Sequence, residues 1–187
     1  LPSHHRALTA IERCRTAAAR QVLTRCADCH RLQWHACSCG HRSCPKCQNH
    51  DATRWLERQR EKLLPAPYFL LTFTLPAELR PLAWSHQRKV YDALFAAASR
   101  TIKAFGSRHL GVDLGFTAVF HSHSRRLTYH PHLHVVVPGG GVDRKTRQWK
   151  RTPSNYLFRG SAMAMVFRAK LYHELEKREL RIPSNVP

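Results

Sequence analysis

Six of the seven cysteines fall between Cys26 and Cys47. An odd total, with six crowded into so short a stretch, is a poor disulfide framework and a good metal-binding pattern. Cys26-Ala-Asp-Cys29 and Cys44-Pro-Lys-Cys47 are two CxxC pairs separated by fourteen residues. Each pair forms a tight turn that offers two thiolates, and two such turns close a tetrahedral site. Four soft ligands with no open position suit a structural zinc and leave no place for a catalytic water. The neighbouring Arg25, Arg42 and Lys46 favour the thiolate forms. Cys37 and Cys39, with His30, His35 and His41, are surplus candidates that can replace one of the four or hold a second ion. Cys14 falls in a helical stretch and reads as a packed residue. This many thiols implies a reducing, cytoplasmic setting.

The second chemical group is His130-Pro131-His132-Leu133-His134-Val135-Val136-Val137. Side chains alternate along a strand, so His132 and His134 project from one face, roughly 6–7 Å apart. Leu133, Val135 and Val137 point the other way, into a core. Val136 is apolar on the histidine face and predicts partial cover there. A His-x-His pair alone is often only a satisfied pair of polar groups. Here His121, His123 and His130 flank it, and a hairpin brings His121 or His123 to the pair, with register deciding which. His121 and His130 are the candidates for a third ligand. Imidazoles in this arrangement hold a divalent ion with positions left open for phosphate oxygens and water.

The chain that must position these groups has 187 residues, enough for one modest core and a small appendage. Lys and Arg number 31 against 12 Asp and Glu, a net charge of +19. That excess points to a polyanion, above all nucleic acid. No apolar run is long enough to span a membrane, so a membrane partner is not expected. Basic residues spread along the chain favour a folded basic surface, with Arg54, Arg58, Arg125, Arg126, Lys145 and Lys150 as candidate DNA contacts. Trp34, Trp55, Trp84 and Trp149 can stack on unpaired bases. Trp149, in a basic stretch read as a loop, is the best placed of them.

Hydrophobic periodicity supplies the elements. Residues 6–24 read as a helix, 25–50 as the cysteine module and 51–64 as a basic helix ended by Pro65. Residues 68–75 alternate as a strand, and 87–105 return to helical period. Residues 116–121 and 132–137 alternate again as a hairpin, the second strand ended by Pro138-Gly139-Gly140-Gly141. Residues 161–180 close the chain as a helix, where Glu174 and Arg178 form a weak i,i+4 pair. The chain is thus predicted to be α+β. Residues 1–64 make a helix plus zinc module, and residues 65–187 an antiparallel sheet with flanking helices.

Five segments occur in an informative order: Ile11-Glu12-Arg13-Cys14-Arg15-Thr16, Cys44-Pro45-Lys46-Cys47-Gln48, Leu71-Thr72-Phe73-Thr74-Leu75-Pro76, Tyr129-His130-Pro131-His132-Leu133-His134 and Pro138-Gly139-Gly140-Gly141. This order resembles the insertion sequence 91 family of rolling-circle transposases, which belong to the HUH (His-hydrophobic-His) class of single-strand endonucleases. The resemblance runs from about residue 7 to 175 and implies an HUH-like sheet that is C-terminally incomplete. It implies a magnesium or manganese ion on His132 and His134, and zinc on Cys26, Cys29, Cys44 and Cys47, with Cys39 matching a further family cysteine. The implied partner is DNA, single-stranded at the ends of a mobile element, in the bacterial cytoplasm and on the nucleoid. A tyrosine would attack the scissile phosphate, leaving a 5′-phosphotyrosine and a free 3′-hydroxyl. The family's tyrosine motif lies downstream of the segment matched here, and neither Tyr156 nor Tyr172 falls in it. The chain therefore reads as a fragment that binds DNA and metal without nicking alone. The competing expectation is a non-catalytic, zinc-dependent nucleic-acid-binding module, in which the histidines are structural and bind no second ion.

Overall fold

The computed structural model describes residues 2–152, 157–184 and 186. The chain divides into two compact units, residues 1–63 and 64–187.

The first unit opens with α1 (Pro2–Arg13), a helix that stops well short of the predicted end at residue 24. Turns follow, with Arg15 in the left-handed region at φ 56°, and β1 (Gln21–Arg25) begins. Val22 and Thr24 are β-branched and favour a strand over a long helix. β1 pairs antiparallel with β2 (Leu32–Ala36), from Gln21 opposite Ala36 to Arg25 opposite Leu32. The turn of this hairpin holds Cys26 and Cys29. α2 (Pro45–Arg60) starts on Pro45, whose fixed φ and missing N–H suit a first helical turn. It therefore begins six residues earlier than periodicity predicts. The buried centre of this unit is Cys14, Cys44 and Cys47, with Ile11 and Cys39 against it. Trp34, its large apolar side chain, is exposed. So small a core depends on a metal for stability.

The second unit opens with β3 (Tyr68–Thr74), a short 3-10 turn and α3 (Arg80–Ser85), a helix that periodicity misses. α4 (Gln87–Phe105) follows the predicted span and is closed by a π-helical turn that ends on Gly111 at φ 69°. β4 (Val112–Asp113), β5 (Thr117–His123) and β6 (Tyr129–Pro138) come next. β7 (Gly140–Asp143), β8 (Trp149–Arg151) and α5 (Gly160–Glu176) complete it.

Two three-stranded antiparallel sheets result, with orders β3-β6-β5 and β4-β7-β8. The glycine run does not end the strand path as expected. It carries the chain into the second sheet, because only glycine fits there. A Cβ on Gly141 would lie 2.6 Å from the Asp113 carbonyl oxygen, and one on Gly140 2.7 Å from that of Lys150. Trp149 and Lys150 consequently sit on β8 and not in a loop.

In the first sheet one face is apolar. Phe73, Leu133, Val135 and Val137 are buried with Val90, Leu94, Ala97, Ile102, Phe167 and Leu171 of α4 and α5. The opposite face carries Leu70, Thr72, Thr74, His132, His134 and Val136. Leu70 and Val136 are exposed while His132 is buried and His134 half-buried, so the face is only partly covered. Glu174 joins the two helices: it pairs with Arg100 of α4 at 2.5 Å and with Arg178 beyond α5, and its side chain is 2% exposed. The pair predicted as a weak i,i+4 contact has its carboxylate buried.

Candidate metal centres

Four thiols converge in the first unit: Cys14, Cys39, Cys44 and Cys47, with their sulfurs all within 4.8 Å of one another. Cys14 Sγ lies 3.5 Å and Cys39 Sγ 3.7 Å from Cys47 Sγ. Sulfurs at 2.3 Å from a tetrahedral zinc stand about 3.8 Å apart, so the donor set fits that ion. Cys14 follows α1, Cys39 follows β2, and Cys44 and Cys47 occupy the start of α2, where the helix dipole favours thiolates. Backbone N–H groups of Cys39 and His41 point at Cys14 Sγ and Cys39 Sγ. Lys46 Nζ donates to the Cys14 carbonyl at 3.0 Å and pins the end of α1 to α2.

The thiols share their protons unevenly. The Cys39 N–H lowers the Cys14 thiol, but burial and the three neighbouring thiols outweigh it and push Cys14 up to about 12. Burial raises Cys47, yet hydrogen bonds from Cys14, the Gly40 N–H, Cys39 and Cys44 bring it down to about 7. The Cys47 and Lys46 N–H groups and the Cys14 and Cys39 thiols outweigh burial and lower Cys44.

The four thiols that converge differ from the expected set. Cys44 and Cys47 belong to both, but Cys26 and Cys29 are exposed at the hairpin turn and lie outside the cluster. Five-residue strands separate turn from base by roughly 17 Å. Cys14 and Cys39 lie near the base, where the Cys37 N–H meets the Arg20 carbonyl at 2.7 Å. Cys14, read as mere packing, is a member, and Cys37 is not. The clue available in sequence was a seventh cysteine just before a strand pair. Residue spacing could not show that the pair folds back on itself.

The second cluster is His121, His132 and His134, whose ring nitrogens also converge within 4.8 Å. His121 is opposite His132 on the β5–β6 ladder. The His121 ring lies 5.2 Å from that of His132 and 4.7 Å from that of His134. His132 is buried, His134 half-buried and His121 exposed. The His130 carbonyl can only accept, so His132 Nδ1 donates to it at 2.6 Å, leaving Nε2 free to ligate. Thr72 Oγ1 meets His134 Nδ1 at 3.2 Å. Burial, then the charges of His121 and His132, hold His134 below the usual imidazole range.

Of the two expected third ligands, the geometry groups His121 with the pair. His130 is occupied elsewhere: Arg80 Nη2 lies 2.7 Å from its Nδ1. Burial, Arg80 and His132 lower it. Three imidazoles on a partly open sheet face fit a divalent ion with coordination positions to spare. Tyr129 is the tyrosine nearest in sequence. Its hydroxyl is 2.7 Å from that of Tyr91, and burial and that contact push its phenol up.

The predicted DNA contacts distribute over both units. Arg54 and Arg58 are exposed on α2, and Arg125 and Arg126 are exposed in the β5–β6 turn. Lys145 is exposed between β7 and β8, and Trp149 is half-open on β8. Lys150 Nζ is held by the Leu110 carbonyl at 2.9 Å. Tyr156 lies outside the described residues, and Tyr172 is half-buried on α5. Among the described residues no helix is long and apolar enough to cross a membrane.

Comparison with known proteins gives these clusters relatives. Residues 1–75 match the family model described as "Transposase zinc-binding domain", and residues 115–184 match one described as "Putative transposase". The chain is 37% identical over 177 residues to "Putative transposase y4qJ" of Sinorhizobium fredii, covering 94% of this chain and 44% of that protein. It is 32% identical over 118 residues to "Transposase for insertion sequence element IS801" of Pseudomonas savastanoi pv. phaseolicola, covering 63% of this chain and 28% of that protein. The chain thus spans less than half the length of either relative.

Among solved structures it is similar to the conjugative relaxase TrwC in a metal-bound complex with oriT DNA. The TM-score is 0.50 at 22% identity, over 58% of this chain and 43% of that one. TrwC complexed with a 27-mer DNA that comprises the recognition hairpin and the cleavage site gives 0.52 at 20% identity, over 63% and 47%. At such identity the likeness concerns the fold, which is α+β and of the HUH type. Both family models and both relatives are described as transposases, so the chain is similar to transposases, and its first 75 residues to a transposase zinc-binding domain.

Proposed function

We propose that this chain is the zinc-binding and metal-site portion of a rolling-circle transposase that nicks and joins single-stranded DNA at the ends of a mobile element. The observation that carries the reading is the convergence of His121, His132 and His134 on a partly open sheet face in a strongly basic chain. These three residues would hold a magnesium or manganese ion, which when bound polarises the scissile phosphate and stabilises charge on its oxygens. The His130 carbonyl and Thr72 orient His132 and His134 and keep their ligating nitrogens directed inward. Cys14, Cys39, Cys44 and Cys47 would hold a structural zinc that lets the small first unit fold and present Arg54 and Arg58 to DNA phosphates. Such a protein would act in the bacterial cytoplasm, on nucleoid DNA.

The attacking tyrosine is assigned to sequence following the matched region. Tyr129 is a poor nucleophile, because its phenol is raised and hydrogen-bonded to Tyr91. The test is a manganese titration and a strand-nicking assay on the 187-residue chain, and the same assay on a chain extended through the downstream region. The reading expects metal and single-strand binding in both and nicking only in the extended chain. A chain that takes up zinc but no manganese would support the non-catalytic DNA-binding module instead.

A further inference from the structure

α3 presents two side chains, one turn apart, to the start of β6. Arg80 bonds His130, and Trp84 meets Tyr129 nearly perpendicular, with ring centroids 5.0 Å apart. Tyr129 is itself fixed. Its hydroxyl is tied to Tyr91, and the His123 ring lies 5.9 Å away across the ladder. Trp84, Tyr129 and His123 thus form a continuous row of rings. On β5, His123 is two residues along the chain from His121 of the metal cluster, with the irregularity of the ladder between them, so the row lies at the end of the sheet next to the cluster.

Trp84 is nevertheless 63% exposed. An indole is among the largest hydrophobic side chains, and this one is held in place without being buried. The surroundings are basic. Arg125 and Arg126 are exposed in the turn after His123, and Arg88 is exposed just after Trp84. That turn is closed by hydrogen bonds: the Ser124 N–H meets the Thr128 carbonyl at 2.9 Å, and their hydroxyls meet at 2.7 Å. An open aromatic ring with exposed arginines on the neighbouring segments has the chemistry of a single-strand nucleic-acid site, rings taking bases and guanidinium groups taking phosphates.

We infer that Trp84 is a stacking platform for the base of a nucleotide adjoining the scissile phosphate, with Arg125 and Arg126 taking the phosphates beyond it. The inference rests on the reading of the histidine cluster as a single-strand DNA site. Stacking accepts any base, so this subsite sets strand path and not sequence. It also selects against a duplex, in which both faces of each base are already stacked.

The test measures binding of the zinc-loaded 187-residue chain to a fluorescent oligothymidine and to a duplex of equal length. Wild type is compared with Trp84→Ala, Trp84→Leu and Trp84→Phe, with thermal melting to verify folding. Trp84→Ala and Trp84→Leu should each weaken single-strand binding about tenfold. Trp84→Phe should retain most of it, and duplex binding should not change. Full single-strand affinity in folded Trp84→Leu would overturn the inference, since an aliphatic cover for Tyr129 would then suffice. Equal losses on single strand and duplex would overturn it too. Failure of the parent reading is visible separately, as wild type that shows no preference for the single strand.

Discussion

His121 stands directly across the β5–β6 ladder from His132, and the two rings meet edge to face at 5.2 Å. His130, two residues from His132 on the same strand, has its ring 5.1 Å from that of His132 but accepts at Nδ1 from Arg80 and stands outside the cluster. This difference separates a ligand from a support. His121→Ala should lower manganese affinity by at least the about 10- to 100-fold that losing an outer-shell partner costs. His130→Ala should change it little, because the group of His130 that orients His132 is its backbone carbonyl. Calorimetric titration of manganese into the two variants checks both expectations.

Protons compete with metal for these imidazoles, so the direction in which His134 is shifted bears on the pH response. Burial and the neighbouring His121 and His132 hold His134 below its ordinary 6.5. A group so lowered is neutral, and able to ligate, at a pH where a free imidazole is half protonated. Manganese binding should therefore persist as pH falls through 6.5 and be lost below it. Electron paramagnetic resonance of free manganese along a pH series reads this directly. Loss already above 6.5 would contradict the assignment.

How far the sequence foretold this arrangement depended on whether the signal was local. The alternation in Phe69–Leu75 and His132–Val137 marks two strands because each has one apolar face. The stripe of Val90, Leu94, Ala97 and Phe105 likewise gives α4 its span. Register is a non-local property. That His121 faces His132 depends on the β5–β6 pairing and on the irregularity between His121 and His123, neither of which spacing encodes. The thiol cluster was not legible in the sequence for the same reason. CxxC spacing identifies tight turns, but only the fold-back of β1 on β2 takes Cys26 and Cys29 to the far end. The glycine run is legible as a break and not as a crossing, since close approach of the Asp113 backbone to Gly141 is a tertiary fact.

The thiol cluster makes opposite predictions for cysteines of one sequence stretch. Cys14→Ser and Cys39→Ser should lower bound zinc and unfold the first unit, because structural zinc is itself the source of folding free energy. Cys26→Ser and Cys29→Ser should leave zinc content unchanged. Elemental analysis after gel filtration, with circular dichroism before and after chelator, separates the cases. Acid should eject the metal as well. Cys47 sits near 7 and is a thiolate above that value, so protons compete for it increasingly as pH falls below it.

Glu174 lies almost wholly buried between Arg100 and Arg178 and links α4 to the end of α5. Burial raises its carboxyl, but the hydrogen bond from Arg178 and the charges of Arg100 and Arg178 outweigh that and hold it below the ordinary 4.5. A carboxyl lowered on folding contributes stability in full above its unfolded value, and the contribution disappears as pH falls through the folded one. Removing one partner of a buried pair leaves an uncompensated charge, so Arg178→Leu should cost about 3 kcal/mol at neutral pH. That is the lower end of the range for such pairs, because Arg100 still faces the carboxylate. Glu174→Gln removes the titrating group altogether. Its stability deficit relative to wild type should be largest at neutral pH and shrink as acid protonates the native carboxyl. Urea unfolding of wild type and Glu174→Gln across the acidic range measures that convergence. A deficit independent of pH would mean that shape, and not charge, is what Glu174 contributes between the two helices.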